Sequence, residues 1–126
     1  MDRTNPFDIV SKFSDAINSH DAGKLASLMS EDHIFTDSAG GKVVGRKDCI
    51  AVWEEFFKQF PDYKNNFEHM EIRDNLVITF GHSRCSEKRL SGQALWTAVV
   101  KHNLIQDWHV YNDTTESRKL LGLPVL

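Results

Sequence analysis

Asp37 is the residue on which a chemical reading of this chain turns. It ends the run His33-Ile34-Phe35-Thr36-Asp37, whose β-branched and aromatic members favour a strand, and precedes the turn-prone Ser38-Ala39-Gly40-Gly41. A carboxylate at a strand end that faces an apolar hollow has its pKa raised by desolvation and becomes a proton acceptor near neutral pH. A positioned base alone supplies roughly 10² to 10⁴ in rate, so a donor should face it. His82 and Asn112 are the candidate catalytic partners, and the indole N–H of Trp53 or Trp96 is a further donor. The expected walls are Phe13, Ile17, Phe35, Trp53, Phe57, Phe80, Trp96, Trp108 and Val110, with Arg84 at the rim. Such a site suits cofactor-independent proton transfer (isomerisation, dehydration or cyclisation) on a small apolar molecule bearing a carbonyl or hydroxyl.

Each of these residues also has a quieter reading. Asp37 before Ser38-Ala39-Gly40-Gly41 fits an Asx turn that bonds its own backbone. His82 fits a satisfied, half-buried histidine, the tryptophans fit plain core, and Arg84 fits a solvated loop.

The elements that must position these groups follow from the pattern. Asn5-Pro6 reads as an N-cap followed by proline, opening a helix that runs to about His20 with Ile9, Val10, Phe13, Ala16 and Ile17 on one stripe. Asp21 caps a second helix carrying Leu25, Leu28 and Met29, which Ser30-Glu31-Asp32 breaks. After the Asp37 turn and Val43-Val44, Lys47 to Phe60 carries Ile50, Trp53, Phe57 and Phe60 at helical spacing, and Pro61 ends it. Strands then follow at Tyr63 to Arg73, Leu76 to Cys85, Ala94 to Lys101 and Leu104 to Asn112, with turns at Asp74-Asn75 and His102-Asn103. On the second of these, Leu76, Ile78, Phe80 and His82 share a face, read as the inward one. This order predicts the α+β class: one curved antiparallel sheet with helices covering one face.

The last hairpin is apolar on both sides. Trp96, Ala98, Val100, Trp108 and Val110 make one face; Leu95, Val99, Ile105 and Tyr111 make the other. The second face is expected to meet another copy of the chain in a two-fold homodimer. Thr114 to Leu126 contains a helix start at Thr115-Glu116-Ser117 and then leucines, expected to close the mouth of the fold or pack on the partner.

At 126 residues and 40% apolar content the chain makes one domain, 1–126, able to fold without staples. A net charge of −3 with interleaved signs argues against a nucleic-acid or anionic-membrane surface. Cys49 and Cys85 lack metal-ligand spacing and read as reduced thiols of a cytoplasmic protein. The first six residues carry no signal-peptide core, and no run is long enough to cross a bilayer. The histidines form no ligand pair beside a carboxylate, no GxSxG occurs, and Cys49 lies within an apolar helix face, so metal, cofactor and nucleophile chemistry are not expected.

The segment from Phe13 to Asp21, the break before His33-Ile34-Phe35-Thr36-Asp37, Gly45-Arg46 opening the long helix, and the ending Trp108-His109-Val110-Tyr111-Asn112-Asp113 resemble the nuclear-transport-factor-2-like superfamily. Within it the chain is most similar to the SnoaL-like polyketide cyclase and ketosteroid isomerase branches. The resemblance spans nearly the whole chain and implies a cone-shaped, cystatin-like α+β fold with three helices on the concave face. It implies the isomerase base at Asp37. The isomerase donors fall on Phe13 and Trp96, with its supporting tyrosines near Met29 and Trp53; the cyclase histidine and aspartate fall on Trp96 and Val110. The defining donors of both activities are therefore replaced. A non-enzymatic binding or assembly module of the same fold is the rival reading, to be told apart by whether the interior is open or filled. Epoxide hydrolysis, which needs an Asp-Arg-Asp set, ranks below both.

Overall fold

The computed structural model describes residues 5–125. The expectation of no leader rests partly on residues 1–4, which lie outside that range, as does Leu126 of the tail. Six strands form one curled, unclosed sheet in the order β2-β1-β6-β5-β4-β3. They are β1 (Met29–Thr36), β2 (Lys42–Val44), β3 (Lys64–Arg73), β4 (Leu76–Arg84), β5 (Gly92–Lys101) and β6 (Leu104–Asn112). Helices α1 (Pro6–Asn18), α2 (Ala22–Leu28) and α3 (Arg46–Gln59) cover the concave face, and α4 (Thr115–Leu120) follows the sheet.

Local chemistry accounts for the boundaries. Asn5 caps α1 by accepting from the Phe7 N–H at 2.8 Å, and Asp21 caps α2 by accepting from the Lys24 N–H at 3.0 Å. His102 and Asn103 both hold positive φ, 53° and 62°, the conformation of a two-residue hairpin turn whose twist matches its strands. The helix ends before Ser30, and Ser30 to Asp32 already belong to β1, in the stretch where its register with β6 shifts between Met29 and Ile34.

Pairing of β1 with β6 is parallel, so the expected all-antiparallel sheet holds only for the other neighbours. The segment from α3 through β5 returns the chain to the same edge in the same direction, and no local pattern records that. A shift in register between Val99 and Val100 turns Ile105 inward, beside Val100 and against Met29 of β1. Ile105 therefore belongs to the inner core, not to the outer face on which strict alternation puts it.

The inner core holds Val10, Phe13, Ile17, Leu25, Trp96 and Trp108, all essentially inaccessible to solvent. Phe13 packs on Trp108 with ring centres 4.7 Å apart, and Phe67 packs on Trp96 at 4.8 Å. On the convex face a second cluster joins Ile78, Leu95, Leu76, Phe80 and Tyr111 to Leu121 and Leu123 of the C-terminal segment. The tail does not line the mouth: it folds back on its own sheet, with Leu121 and Leu123 in that cluster. Arg73 donates to the Leu121 and Gly122 carbonyls at 2.7 and 3.0 Å, and Arg118 donates to the Pro124 carbonyl at 3.0 Å, strapping it down.

Candidate active site

Residues of α1, β1, α3 and the sheet enclose an open cavity of about 270 Å³. Its apolar walls are Ile17, Phe35, Val52, Trp53, Phe56, Trp96, Trp108 and Val110. Tyr63, Asn65 and Ser83 line it from β4 and the start of β3, and Ala94 and Asn112 from β5 and β6. Asp37 and Ser38 stand at the mouth, and Arg89, Leu90 and Ser91 together with Gly92 and Gln93 at the start of β5 also line the cavity.

Asp37 reaches the cavity but is not buried. The residue is exposed, and its Oδ1 accepts from the Ala39 and Gly41 N–H groups, each at 2.9 Å. That is the Asx turn, so the carboxylate shapes its own loop while its second oxygen is left over. The burial expected for it is not found: water reaches the carboxylate in the free protein. It is nonetheless the one carboxylate among the described lining residues, which include no histidine.

Of the expected wall residues, Ile17, Phe35, Trp53, Trp96, Trp108 and Val110 are lining, and so is Asn112 at the exposed mouth. Phe13 is fully buried beneath the cavity, and Phe57 is stacked on His20 with ring centres 4.6 Å apart, so neither lines it. The inward assignment of Phe80, His82 and Arg84 is corrected by the register. In β4 the inner positions are Val77, Thr79, Gly81 and Ser83, opposite Ala98, Trp96, Ala94 and Gly92. Phe80 therefore lies on the convex face under Arg118, whose guanidinium is 5.2 Å from the ring centre. His82 pairs with the exposed Glu68 at 2.6 Å, and Arg84 sits on a shallow outer groove with Asp62, Lys64 and Cys85. The physical reason is twofold. The tail makes the convex face as apolar as the concave one, and the concave face needs small residues: a Cβ at Gly81 would collide with the Asn66 carbonyl.

The polar floor was not foreseen. Tyr63 Oη and Ser83 Oγ lie 3.0 Å apart and share a hydrogen bond, and burial pushes the Tyr63 phenol up, keeping it protonated. Asn65 is 5% exposed and accepts at Oδ1 from the Ser14 hydroxyl at 2.8 Å. A signal existed: Asn65 and Phe67 of β3 continue an alternation that starts at Tyr63 just before it, and Asn65 falls opposite Ser83, two polar residues at inner positions of a mostly apolar face. Trp53 is 8% exposed, and its Nε1 has no acceptor among the described residues.

Burial also pushes the Cys49 thiol up, which suits an inert core cysteine. Among the described residues no group of three His, Cys, Asp or Glu side chains could hold a metal ion, and no helix is long and apolar enough to cross a membrane.

Solved structures with this fold include a cystatin-fold protein and a nuclear-transport-factor-2-like protein. The profile of the SnoaL-like domain matches residues 10–109, and the chain belongs to that family. Among solved structures, a nuclear-transport-factor-2-like protein of unknown function from Cytophaga hutchinsonii is 19% identical, with a TM-score of 0.75 over 95% of this chain and 97% of its own. A provisionally named SnoaL-like polyketide cyclase from Shewanella putrefaciens is 20% identical, with a TM-score of 0.75 over 96% of this chain and 88% of its own. An LEH-like epoxide hydrolase from M. tuberculosis is 14% identical, with a TM-score of 0.75 over 86% of this chain and 82% of its own. At these identities the likeness is one of fold. No curated protein matches by sequence.

Proposed function

We propose that the cavity binds a small, mostly apolar molecule bearing a carbonyl or hydroxyl, and that Asp37 transfers a proton on it without a cofactor. The observation that carries this is the open aromatic cavity of about 270 Å³ with a single carboxylate at its mouth. That volume is near the lower end of the roughly 300–1,000 Å³ of small-molecule sites. In the proposed step Asp37 Oδ2 takes a proton from the carbon next to a carbonyl. The electron pair moves onto the carbonyl oxygen, and return of the proton to the same or another carbon completes exchange or isomerisation. A ligand filling the mouth would displace water from Asp37, supplying on binding the desolvation that the free protein lacks. The epoxide hydrolase and polyketide cyclase names among similar folds agree with a small-molecule pocket.

The test needs no knowledge of the natural substrate: exchange of the α-protons of indanone for solvent deuterium, followed by NMR. Asp37→Asn keeps the Oδ1 acceptor of the turn and should lower catalysed exchange by about 10² or more. Equal exchange in both proteins rejects Asp37 as the base. A second reading, binding without turnover, is favoured by the two backbone N–H groups that already occupy Asp37 Oδ1; it predicts bound indanone with no exchange above buffer in either protein.

The homodimer expected from the outer sheet face is proposed only for the strip beyond the tail, around Val99, Asp107 and His109, which are half-buried. A monomer in sedimentation at micromolar concentration rejects it.

A further inference from the structure

We infer that the carboxamide of Asn65, together with the indole N–H of Trp53, recognises a carbonyl oxygen, so that the cavity selects ligands with a hydrogen-bond acceptor at their buried end. The inference rests on the ligand-site reading above and adds to it which end of the molecule goes in and which residues read it.

Asn65 is nearly used up. Its N–H donates to Asn18 Oδ1 at 2.8 Å, its carbonyl accepts from Asn18 Nδ2 at 2.9 Å, and its Oδ1 accepts from Ser14 Oγ at 2.8 Å. Only Nδ2 makes no hydrogen bond among the described residues, and Asn65 lines the cavity. Because the Ser14 hydroxyl donates to Oδ1, the amide is held with its NH₂ end as the free one. Asn65 Nδ2 is not sealed off, whereas the indole N–H of Trp53, on the α3 wall of the same cavity, is a buried donor with no acceptor among the described residues. Buried donors left without partners are uncommon in folded proteins and call for an explanation. An entering carbonyl oxygen answers it, since it accepts two hydrogen bonds and donates none.

Ser83 stands opposite Asn65 in the β3–β4 pairing, so the hydroxyl pair lies beside the carboxamide. Tyr63 and Ser83 are hydroxyls already bonded to each other, and the lining carboxylate, Asp37, is at the exposed mouth. A ligand therefore meets donors at its inner end and a proton acceptor at its outer end. This arrangement orients a molecule with a carbonyl and an acidic C–H or O–H.

The backbone under Asn65 is also clamped more than a strand start requires. Besides the two Asn18 bonds, His20 Nε2 lies 3.1 Å from the Tyr63 carbonyl, and Lys64 Nζ donates to the Asn18 carbonyl. The carboxamide is thus fixed before any ligand arrives, which is what selective recognition needs.

The test is titration of the full chain with indane, indanone and indanol, read by nitrogen–proton NMR, with the Trp53 indole signal assigned through Trp53→Phe. Indanone should bind roughly tenfold tighter than indane, a factor typical of hydrogen bonds to otherwise unpaired donors. The Trp53 indole proton should move downfield with indanone and not with indane. Asn65→Asp keeps the acceptor for Ser14 and removes the NH₂ donor, so the preference should fall to about twofold or less. Ser14→Ala, which frees the amide to rotate, should weaken the preference too and serves if Asn65→Asp does not fold. Equal binding of indane and indanone, or tighter binding of indanol, overturns the assignment and leaves the cavity reading standing. Failure of all three to bind overturns both.

Discussion

His33 and Ile105 are joined by a 2.7 Å hydrogen bond from imidazole to main-chain carbonyl across the β1–β6 pair, with both residues fully buried. A carbonyl only accepts, so His33 Nδ1 carries the proton and Nε2 is an unprotonated nitrogen with no hydrogen-bond partner among the described residues. Burial lowers the His33 pKa below the 6.5 of a solvated imidazole, against smaller opposing effects of the Ile105 hydrogen bond, Asp107 and Asp32. His109, on the outer face, is lowered by burial as well. A histidine held neutral by the fold binds its proton more readily when unfolded. Stability is therefore full above pH 6.5 and declines as pH falls below it, by up to about 1.4 kcal/mol per pH unit for His33, with a smaller contribution from the more exposed, solvent-screened His109. Denaturant unfolding at a series of pH values should show this slope, and His33→Met should remove part of it. A pH-independent stability from 7 down to about 5 contradicts the assignment.

At Gly81 strand β4 leaves no room for a side chain beside β3. The chain there passes so near the Asn66 carbonyl that any Cβ must push backbone, not a movable side chain, at the irregularity between Phe67 and His69. Gly81→Ala should cost about 1–3 kcal/mol or more, measured by urea unfolding. An effect under about 0.5 kcal/mol, the range of a neutral surface change, would mean that the two strands separate more easily than this packing allows.

The element order was readable because its signals are local. The N-caps Asn5 and Asp21, the stripe Ile50, Trp53 and Phe57, and the His102-Asn103 turn each act within a few residues. The inward face of β4 was not readable, because what decides it lies some forty residues away: Leu121 and Leu123 cover Ile78 and Phe80, so hydrophobicity no longer marks the inside. The parallel β1–β6 pairing is likewise non-local. At the site, Asp37 and the aromatic walls were legible from residue type, yet whether the carboxylate was buried or engaged in its own turn depended on side-chain geometry that both readings of the sequence allowed. Asn65 was passed over because an asparagine near a strand end reads as solvated, and its burial comes from Ser14 and Asn18 on a helix far away in sequence.

Arg118 holds the C-terminal segment. It forms two hydrogen bonds to Asp113, at 2.6 and 2.9 Å, with side-chain exposures of 11% and 9%, and it caps the Phe80 ring. Removing one partner of this part-buried pair should cost about 1–3 kcal/mol, so Arg118→Ala should release the tail and expose Ile78 and Leu95. The Arg118 guanidinium holds the Asp113 carboxyl below its usual 3.8. This contribution is complete above pH 3.8 and is lost as pH falls through the lowered value, an acid phase separate from that of His33. Hydrogen exchange should show faster exchange confined to α4 and β4–β5; unchanged exchange there would mean that the leucines hold the tail without the arginine.

Ala94 separates binding from stability. It sits on the inner face of β5, opposite Gly81 and Asn112, and lines the cavity while remaining half-buried. Space on that side is open, so a larger side chain enters the cavity and need not displace the packed rings of Trp96 and Trp108 beneath it. Ala94→Phe should therefore keep or raise the melting temperature, since it buries apolar area worth about 25 cal/mol per Å² without the strain of an overfilled core. The same ring occupies the volume a ligand needs, so indanone binding and any Asp37-dependent proton exchange should both disappear. Calorimetry and the deuterium-exchange assay on one preparation read the two effects side by side. A variant that melts normally and still exchanges the α-protons of indanone would place that chemistry somewhere other than this cavity.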